Sequence, residues 1–135
     1  MYDSTRGLRN NNPGNIRRTP DKWRGLSVTQ TDSAFFQFTD AKYGIRAMAK
    51  LLKNYQTRYG LRTVKDIINR WAPPVENNTS SYVSHVAKVL GVGVTESIDL
   101  NNTETLTKLV KAVIKHENGI NPYSDATIAD SIALI

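Results

Sequence analysis

Glu117 stands at the end of an apolar helical stripe, which is an unusual place for a carboxylate. It falls in the segment IKHENGINPYSD at 114–125. The apolar residues before it recur at helical spacing; they are Leu106, Leu109, Val110, Val113 and Ile114. Burial against that stripe and the negative end of the helix dipole would both raise the carboxyl pKa. A raised pKa suits a general acid for glycosidic-bond cleavage, whereas the plainer alternative is a half-solvated Glu at a frayed helix end.

Glu76 is the candidate for a second carboxylate, which a hydrolase would need to hold or activate water. It lies in the segment WAPPVENNTSSYVSHV at 71–86. Glu76 has two alternative roles. It could bind and hold a neighbouring loop, or it could be an acidic residue in the first turn of the next helix, where the helix dipole favours a negative charge. Asp32 and Asp40 come next as candidates for the same role.

The segment GLRNNNPGNIRR at 7–18 contains a run of amide side chains. Amides supply both donors and acceptors, which sugar hydroxyl and acetamido groups require. Asn and Gly also form turns, so the run alone leaves ligand contact and loop structure as alternatives. Trp23 and Tyr43 could stack on sugar faces, although aromatic side chains pack in cores more often.

Composition excludes several other kinds of site. The 135 residues suit one domain with a modest core. The absence of cysteine excludes disulfides and thiolate metal sites, and two histidines, His85 and His116, are too few for a zinc site. The sequence contains no P-loop, GxGxxG motif or Ser-His-Asp order. We therefore expect neither a metal nor a cofactor.

The formal net charge of +6 favours a polyanionic partner: nucleic acid, anionic lipid or an acidic cell-wall polymer. A solvated basic surface is the alternative. The basic residues concentrate near the N-terminus; they are Arg6, Arg9, Arg17, Arg18, Lys22 and Arg24. No apolar run is long enough for a membrane span, and the first residues lack the apolar region of a signal peptide.

Helical periodicity predicts five helices that would position these residues. Asp40 and Thr63 are predicted N-caps, Gly60 and Asn118-Gly119 are predicted stops, and Asn78 or Thr79 caps the third helix. Val89 and Ile135 are predicted to face inward. The predicted helices cover 41–58, Thr63 to Pro73-Pro74, Thr79–Leu90, Thr103–Glu117 and Asp125–Ile135.

The N-terminal part is predicted to contain a long loop at 7–25 and a short β-hairpin at 26–38. Val28 and the alternating Phe36 and Phe38 fit strands, with a turn at 31–33. Loops as long as 7–25 are often functional in compact domains. The fold class predicted is mainly α (α+β), as a single domain over 1–135.

The segment LVKAVIKHENGINPYS resembles the helix of lytic transglycosylases that ends in the catalytic Glu, with the typical pattern AIIxxESGxNPxA. Glu117, Gly119, Asn121 and Pro122 match that pattern, and Asn118 takes the usual Ser position. The chain is thereby similar to the lysozyme-like superfamily of cell-wall glycosidases. The resemblance implies a lysozyme-like helical fold with Glu117 as general acid, while Glu104 and Glu96 are less well placed alternatives.

Further segments resemble the same superfamily. The stretch NNNPGNIR…W.G…FFQF…YGIRAMAKLLKNY is similar to the NNxFGIK segment, Trp, aromatic strand and long helix of flagellar-muramidase-type glucosaminidases. It also resembles the RNNNPGNIR proteins of phages and prophages, many described as virion structural proteins. ENNTSSYVSHV is like the ETRxYVxxV segment late in lytic transglycosylases. The Glu helix normally comes first, so the resemblance implies a circular permutation.

The resemblance implies a glycan groove in which the Asn-rich loop faces Glu117. Glu117 would protonate the leaving oxygen, and then act as base for attack by the sugar's own 6-hydroxyl in a lytic transglycosylase. A muramidase-type hydrolase would use Glu76 with water. The predicted substrate contacts are Asn11, Asn12, Asn15, Gln37, Tyr43, Asn78, Thr79, Tyr82, Asn121 and Tyr123.

The main functional prediction is a phage or prophage enzyme that cleaves β-1,4 bonds of peptidoglycan. It would act at the bacterial cell wall from the virion or the host cell, with glycan strands and other virion proteins as partners. One alternative is a non-catalytic virion structural or cell-wall-binding protein that retains the fold. The other is a basic nucleic-acid-binding module, which the lack of a recognition-helix motif disfavours.

Overall fold

The computed structural model describes residues 6–74 and 78–135. In these ranges the secondary structure is mainly helical, which confirms the predicted fold class. The helices are α1 (Arg6–Arg9), α2 (Ala41–Thr57), α3 (Val64–Trp71), α4 (Thr79–Leu90), α5 (Thr103–Asn118) and α6 (Asp125–Ile132). None of the helices so described has the length and apolarity needed to cross a bilayer.

The chain divides into two compact units. The terminal unit contains the residues up to Lys50 together with Val113–Ile135, and the central unit is Leu51–Ala112. The boundaries fall within α2 and α5, so each of these helices contributes to both units. The prediction of one domain over 1–135 stays a prediction.

The predicted helix faces are largely confirmed. In α2, the side chains of Ile45, Met48 and Leu52 are fully buried, as helical spacing requires of a core face. Val89 is wrongly predicted as inward: it lies on the last turn of α4, before the Gly91 cap, and is 47% exposed. The prediction for Ile135 is also wrong, because α6 ends at Ile132 and Ile135 lies beyond it, 42% exposed.

Side-chain caps define the beginnings of the shorter helices. Thr63 accepts a hydrogen bond from the Asp66 backbone N–H and begins α3, as predicted. Asn78 accepts one from the Ser81 N–H and begins α4. These bonds satisfy backbone donors that have no partner within the helix.

The predicted hairpin at 26–38 is present only as isolated antiparallel bridges, not as strands. Leu26 pairs with Phe38, but Phe35 pairs with Arg17 instead. Side-chain amides replace the missing ladder, since Gln30 donates to two backbone carbonyls and accepts from the Gln37 N–H. Val28, predicted to lie in a strand, is fully exposed.

Candidate functional site

Glu117 lies at the edge of the buried stripe of α5. The five apolar residues that precede it in the stripe are all buried, at 3% exposure or less. Glu117 itself is half-buried, whereas the next residue, Asn118, is 1% exposed. Gly119 then leaves the helix in the left-handed region with φ of 76°. The predicted helix end is therefore confirmed, and it places the carboxylate partly in solvent.

The Asn-rich loop meets Glu117 through Asn15. The Asn15 Nδ2 donates a hydrogen bond of 3.0 Å to the Glu117 Oε1. The two residues are 102 positions apart in the chain. Asn15 has φ of 51°, in the left-handed region that a residue with a Cβ seldom adopts. The structure thus brings together a predicted catalytic residue and a predicted substrate contact.

Asn118 ties the same loop to the end of α5, a role that the sequence reasoning missed. Its buried Nδ2 donates to the Pro13 carbonyl at 2.7 Å and to the Ile114 carbonyl at 2.9 Å. A carboxamide in the usual Ser position beside Glu117 was the one available signal. It indicates a polar contact at this point but not its partner.

Gly7 in α1 lies against both amides. A Cβ on Gly7 would lie 2.7 Å from the Oδ1 of Asn15 and 2.7 Å from the Oδ1 of Asn118. Both oxygens are buried and receive no hydrogen bond within the part of the chain that the structure describes. Only glycine leaves room for the two oxygens at this position.

Asn11 and Asn12 hydrogen-bond to backbone groups within the terminal unit. Asn11 Nδ2 donates to the Phe38 carbonyl at 3.0 Å. Asn12 is fully buried; its amide donates to the Ile16 and Phe36 carbonyls and its oxygen accepts from the Ile16 N–H. The prediction of Asn12 as a sugar contact is corrected, because its hydrogen-bonding groups are used inside the protein.

Gln37 and Tyr43 occupy two further positions in the terminal unit. The Gln37 Oε1 accepts from the Thr31 N–H at 2.6 Å, so this amide also holds loop backbone. Tyr43 is half-buried, with Arg24 5.6 Å and Lys42 5.2 Å from its ring centroid. The exposed part of the Tyr43 ring is available to stack on a sugar, and the neighbouring cations would attract a negatively charged one. This contact stays a prediction.

The segment after Glu117 is fixed by a turn. The Asn121 Oδ1 accepts from the Tyr123 N–H at 3.1 Å, and both residues are half-buried. Burial raises the pKa of the Tyr123 hydroxyl, and the negative charge of Asp40 acts in the same direction. Tyr123 is therefore a neutral hydroxyl at ordinary pH, able to donate a hydrogen bond.

Glu76, the predicted second carboxylate, lies outside the described residues. Asp32, an alternative, accepts two hydrogen bonds from Arg6, at 2.8 and 2.7 Å, and one from Asn10 at 3.0 Å. The Arg6 guanidinium holds the pKa of Asp32 well below its usual range. Asp40, the other alternative, accepts from the Lys42 N–H at the start of α2. Asp32 and Asp40 thus both have local structural roles.

The predicted site residues of the central unit stabilise its helices. Asn78 caps α4, and buried Thr79 donates from Oγ1 to the Ala72 carbonyl at 2.6 Å. Tyr82 is 1% exposed, in the core. The predicted sugar contacts of Thr79 and Tyr82 are therefore corrected on grounds of burial. Glu104, a lesser candidate acid, is exposed and pairs with Lys108 at 3.4 Å.

Comparison with known proteins finds a relative of this chain in a bacteriophage. No family model matches the chain. The chain is 40% identical over 127 residues to Protein P5 of Pseudoalteromonas phage PM2. The aligned region covers 92% of this chain and 78% of that protein. An identity this high over most of both chains indicates common descent.

Proposed function

This chain belongs to the family of Protein P5 of Pseudoalteromonas phage PM2, which supports a phage context. We propose that it is a phage or prophage glycosidase that cleaves β-1,4 bonds of peptidoglycan. The proposal rests above all on one observation, the hydrogen bond from Asn15 to Glu117. This bond joins the Asn-rich loop to the carboxylate of α5. The same juxtaposition is what the lysozyme-like resemblance implies for a glycan groove.

In the proposed reaction, Glu117 is the general acid. Its carboxyl proton passes to the glycosidic oxygen as the bond from that oxygen to the anomeric carbon breaks. The carboxylate then takes the proton of the 6-hydroxyl of the same sugar, whose oxygen attacks the anomeric carbon. The products are a free hydroxyl on the leaving sugar and a 1,6-anhydro end, and Glu117 is protonated again. No water is consumed in this lytic transglycosylase route.

Of the candidates for a second carboxylate, Asp32 and Asp40 both accept local hydrogen bonds, while Glu76 stays the predicted carboxylate of a hydrolase. A hydrolase would need a second carboxylate to hold or activate water. Asp32 accepts from the Arg6 side chain and from two backbone N–H groups of its own turn. Asp40 accepts a hydrogen bond from the Lys42 N–H at the start of α2. A mechanism with a single carboxylate requires neither of them.

The charge and the phage relationship support the proposed place of action. A net charge of +6 attracts anionic polymers, and peptidoglycan carries carboxylates. We therefore place the protein at the bacterial cell wall, delivered from the virion or made in the host cell. Glycan strands are its proposed substrate, and other virion proteins are proposed partners.

The test is the variant Glu117→Gln, which keeps the shape of the side chain but cannot donate the carboxyl proton. We expect wild-type protein to release muropeptides with anhydro ends from purified sacculi, detected by mass spectrometry. Glu117→Gln should reduce release by about 100-fold or more, since a general acid contributes on this order. Circular dichroism and thermal unfolding should show that the fold is retained.

Asp130→Asn is the matched control, because Asp130 is an exposed carboxylate on α6 in the same unit. It should release muropeptides at the wild-type rate. Full activity of Glu117→Gln would remove Glu117 as the acid. Wild-type protein that binds sacculi but releases no fragments would favour a non-catalytic cell-wall-binding protein. Reducing ends in place of anhydro ends would indicate hydrolysis.

A further inference from the structure

We propose that Asn15 is a positioning residue for Glu117. We also propose that the arrangement that gives Asn15 its contact with this carboxylate lowers the stability of the fold. The inference rests on the proposed function, because it assigns Asn15 a part in placing the catalytic acid. It differs from the sequence-based prediction, in which Asn15 contacts the substrate. Three features of the structure support it.

The first feature is the backbone of Asn15. Its φ of 51° lies in the left-handed region, where a Cβ crowds the neighbouring carbonyl oxygen. Asn tolerates this region better than most residues, but glycine adopts it with no steric penalty. A residue needed only to make the turn would therefore be better as glycine. The side chain of Asn15 must supply something that glycine cannot.

The second feature is the direction of the Asn15 amide. Its Nδ2 faces Glu117 Oε1, and its Oδ1 is buried with no donor among the described residues. A half-turn of the amide would set Oδ1 against the carboxylate oxygen, which repels it. The observed orientation thus directs the amide donor to the carboxylate and leaves a buried acceptor with no donor among the described residues, which is destabilising.

The third feature is the attachment of the loop to the helix end. Asn118, next to Glu117, donates to the Pro13 carbonyl, two residues before Asn15. Its own Oδ1 is likewise buried without a donor in the described part of the chain, and Gly7 packs against both oxygens. The loop and the end of α5 are thereby held at fixed spacing, so Asn15 can restrict the position of the carboxyl group.

The variant Asn15→Gly distinguishes a positioning role of Asn15 from a purely structural one. Glycine suits φ of 51°, removes the unsatisfied oxygen and removes the donor to Glu117. We expect the melting temperature to stay equal or rise, while kcat for muropeptide release falls on the order of 10- to 100-fold, as misplacement of a catalytic group does. The KM for solubilised glycan strands should change little. A purely structural Asn15 would give a lower melting temperature and an unchanged kcat.

Asn11→Gly is the matched control for the stability measurement. Asn11 has φ of 53°, and its amide donates to the Phe38 carbonyl, not to a carboxylate. Like Asn15→Gly, this change relieves backbone strain and removes one hydrogen bond. Unlike Asn15→Gly, it does not remove a buried oxygen that lacks a donor among the described residues. Its melting temperature should therefore be lower than that of Asn15→Gly.

The outcomes separate this inference from the proposed function. Absence of muropeptide release by the wild-type protein overturns the proposed function and the positioning role of Asn15 together. Wild-type activity with an unchanged kcat for Asn15→Gly overturns the positioning role alone. A melting temperature for Asn15→Gly that falls as far as that of Asn11→Gly overturns the trade-off with stability.

Discussion

Asparagine side chains replace regular backbone pairing in the terminal unit. A carboxamide carries both a donor and an acceptor, so one side chain can join two backbone segments. Asn12 does so between Ile16 and Phe36, and Asn11 reaches the Phe38 carbonyl. Because these bonds come from side chains, the loop needs no β-ladder. Its geometry therefore depends on single residues.

Asp32 provides a pH-dependent contribution to this loop. The Arg6 guanidinium lowers the pKa of Asp32 in the folded protein. Its stabilisation is therefore complete above the unfolded pKa of about 3.9, and it is lost as the pH falls toward the folded value. We expect Asp32→Asn to lower the free energy of unfolding by about 1–2 kcal/mol at pH 7. It should also flatten the decline in melting temperature below about pH 5.

Thermal unfolding measured at a series of pH values tests this expectation. Asp21→Asn is the control, because Asp21 is exposed and its side chain bonds only to that of Thr19 among the described residues. It should leave the pH profile close to that of the wild-type protein. An Asp32→Asn variant with the wild-type acid decline would show that the Arg6–Asp32 pair does not stabilise the fold.

The residue-scale site was predictable only in part from sequence. The stripe of α5 and the Asn118-Gly119 stop are local patterns, and they place Glu117 at the helix end as observed. The contact of Asn15 with Glu117 spans 102 positions, and no local spacing encodes it. The Asn-rich run predicts amide contacts in this segment. Its composition does not distinguish the amides that bind loop backbone from that of Asn15, which binds a carboxylate.

At the scale of elements, helices were predictable because their signals are local. The bounds of α4 match the prediction, and α5 extends one residue further. Caps and apolar periodicity lie within each segment. The short α1, with four residues, is too short for a periodic signal and was missed. The hairpin predicted at 26–38 depends on pairing between segments. In the structure, side-chain amides such as that of Gln30 bind backbone carbonyls where a strand ladder was expected.

Gly44 sets the approach of the Asn-rich loop to α2. A Cβ at this position would overlap the Asn11 carbonyl oxygen and also approach the Asn12 Cα at 3.2 Å. Alanine in a helix normally stabilises relative to glycine by about 1 kcal/mol. Here the neighbouring atoms are backbone and cannot move aside cheaply. We expect Gly44→Ala to destabilise the protein by about 1–3 kcal/mol, measured by urea unfolding.

Gly93→Ala is the control for added bulk at a glycine. The nearest atom to a Cβ there is 3.8 Å away, an ordinary contact distance. Its effect should stay within about 0.5 kcal/mol. If Gly44→Ala unfolds at the wild-type urea midpoint or above it, the close approach of the loop to α2 is wrong.

At the scale of the whole molecule, the terminal unit combines residues 6–50 with residues 113–135 among those that the structure describes. Glu117 and Asn15 come from opposite ends of the sequence and meet within that unit. A contact of this kind does not depend on which partner comes first in the chain. The proposed permutation of the lysozyme-like order therefore requires no change in the contacts of the site.

A permuted variant tests this independence of chain order. Residue 135 is joined to residue 1 by a Gly/Ser linker of about 16 residues, which spans about 22 Å on average. New ends are opened between Asn101 and Asn102, both exposed and just before α5. Asn102 keeps its hydrogen bond from the Thr105 N–H, which begins the helix. The variant then presents α5 before the Asn-rich loop, as in the superfamily that the sequence resembles.

We expect this permutant to keep the helical circular dichroism spectrum, cooperative unfolding and the muropeptide products of the wild-type protein. A second permutant opened between Val110 and Lys111 is the control, since the break falls inside α5 and removes its hydrogen bonds. It should lose helix content and activity. If the permutant opened at 101–102 is as unfolded as this control, chain order matters to the fold, and the proposed relation by circular permutation fails.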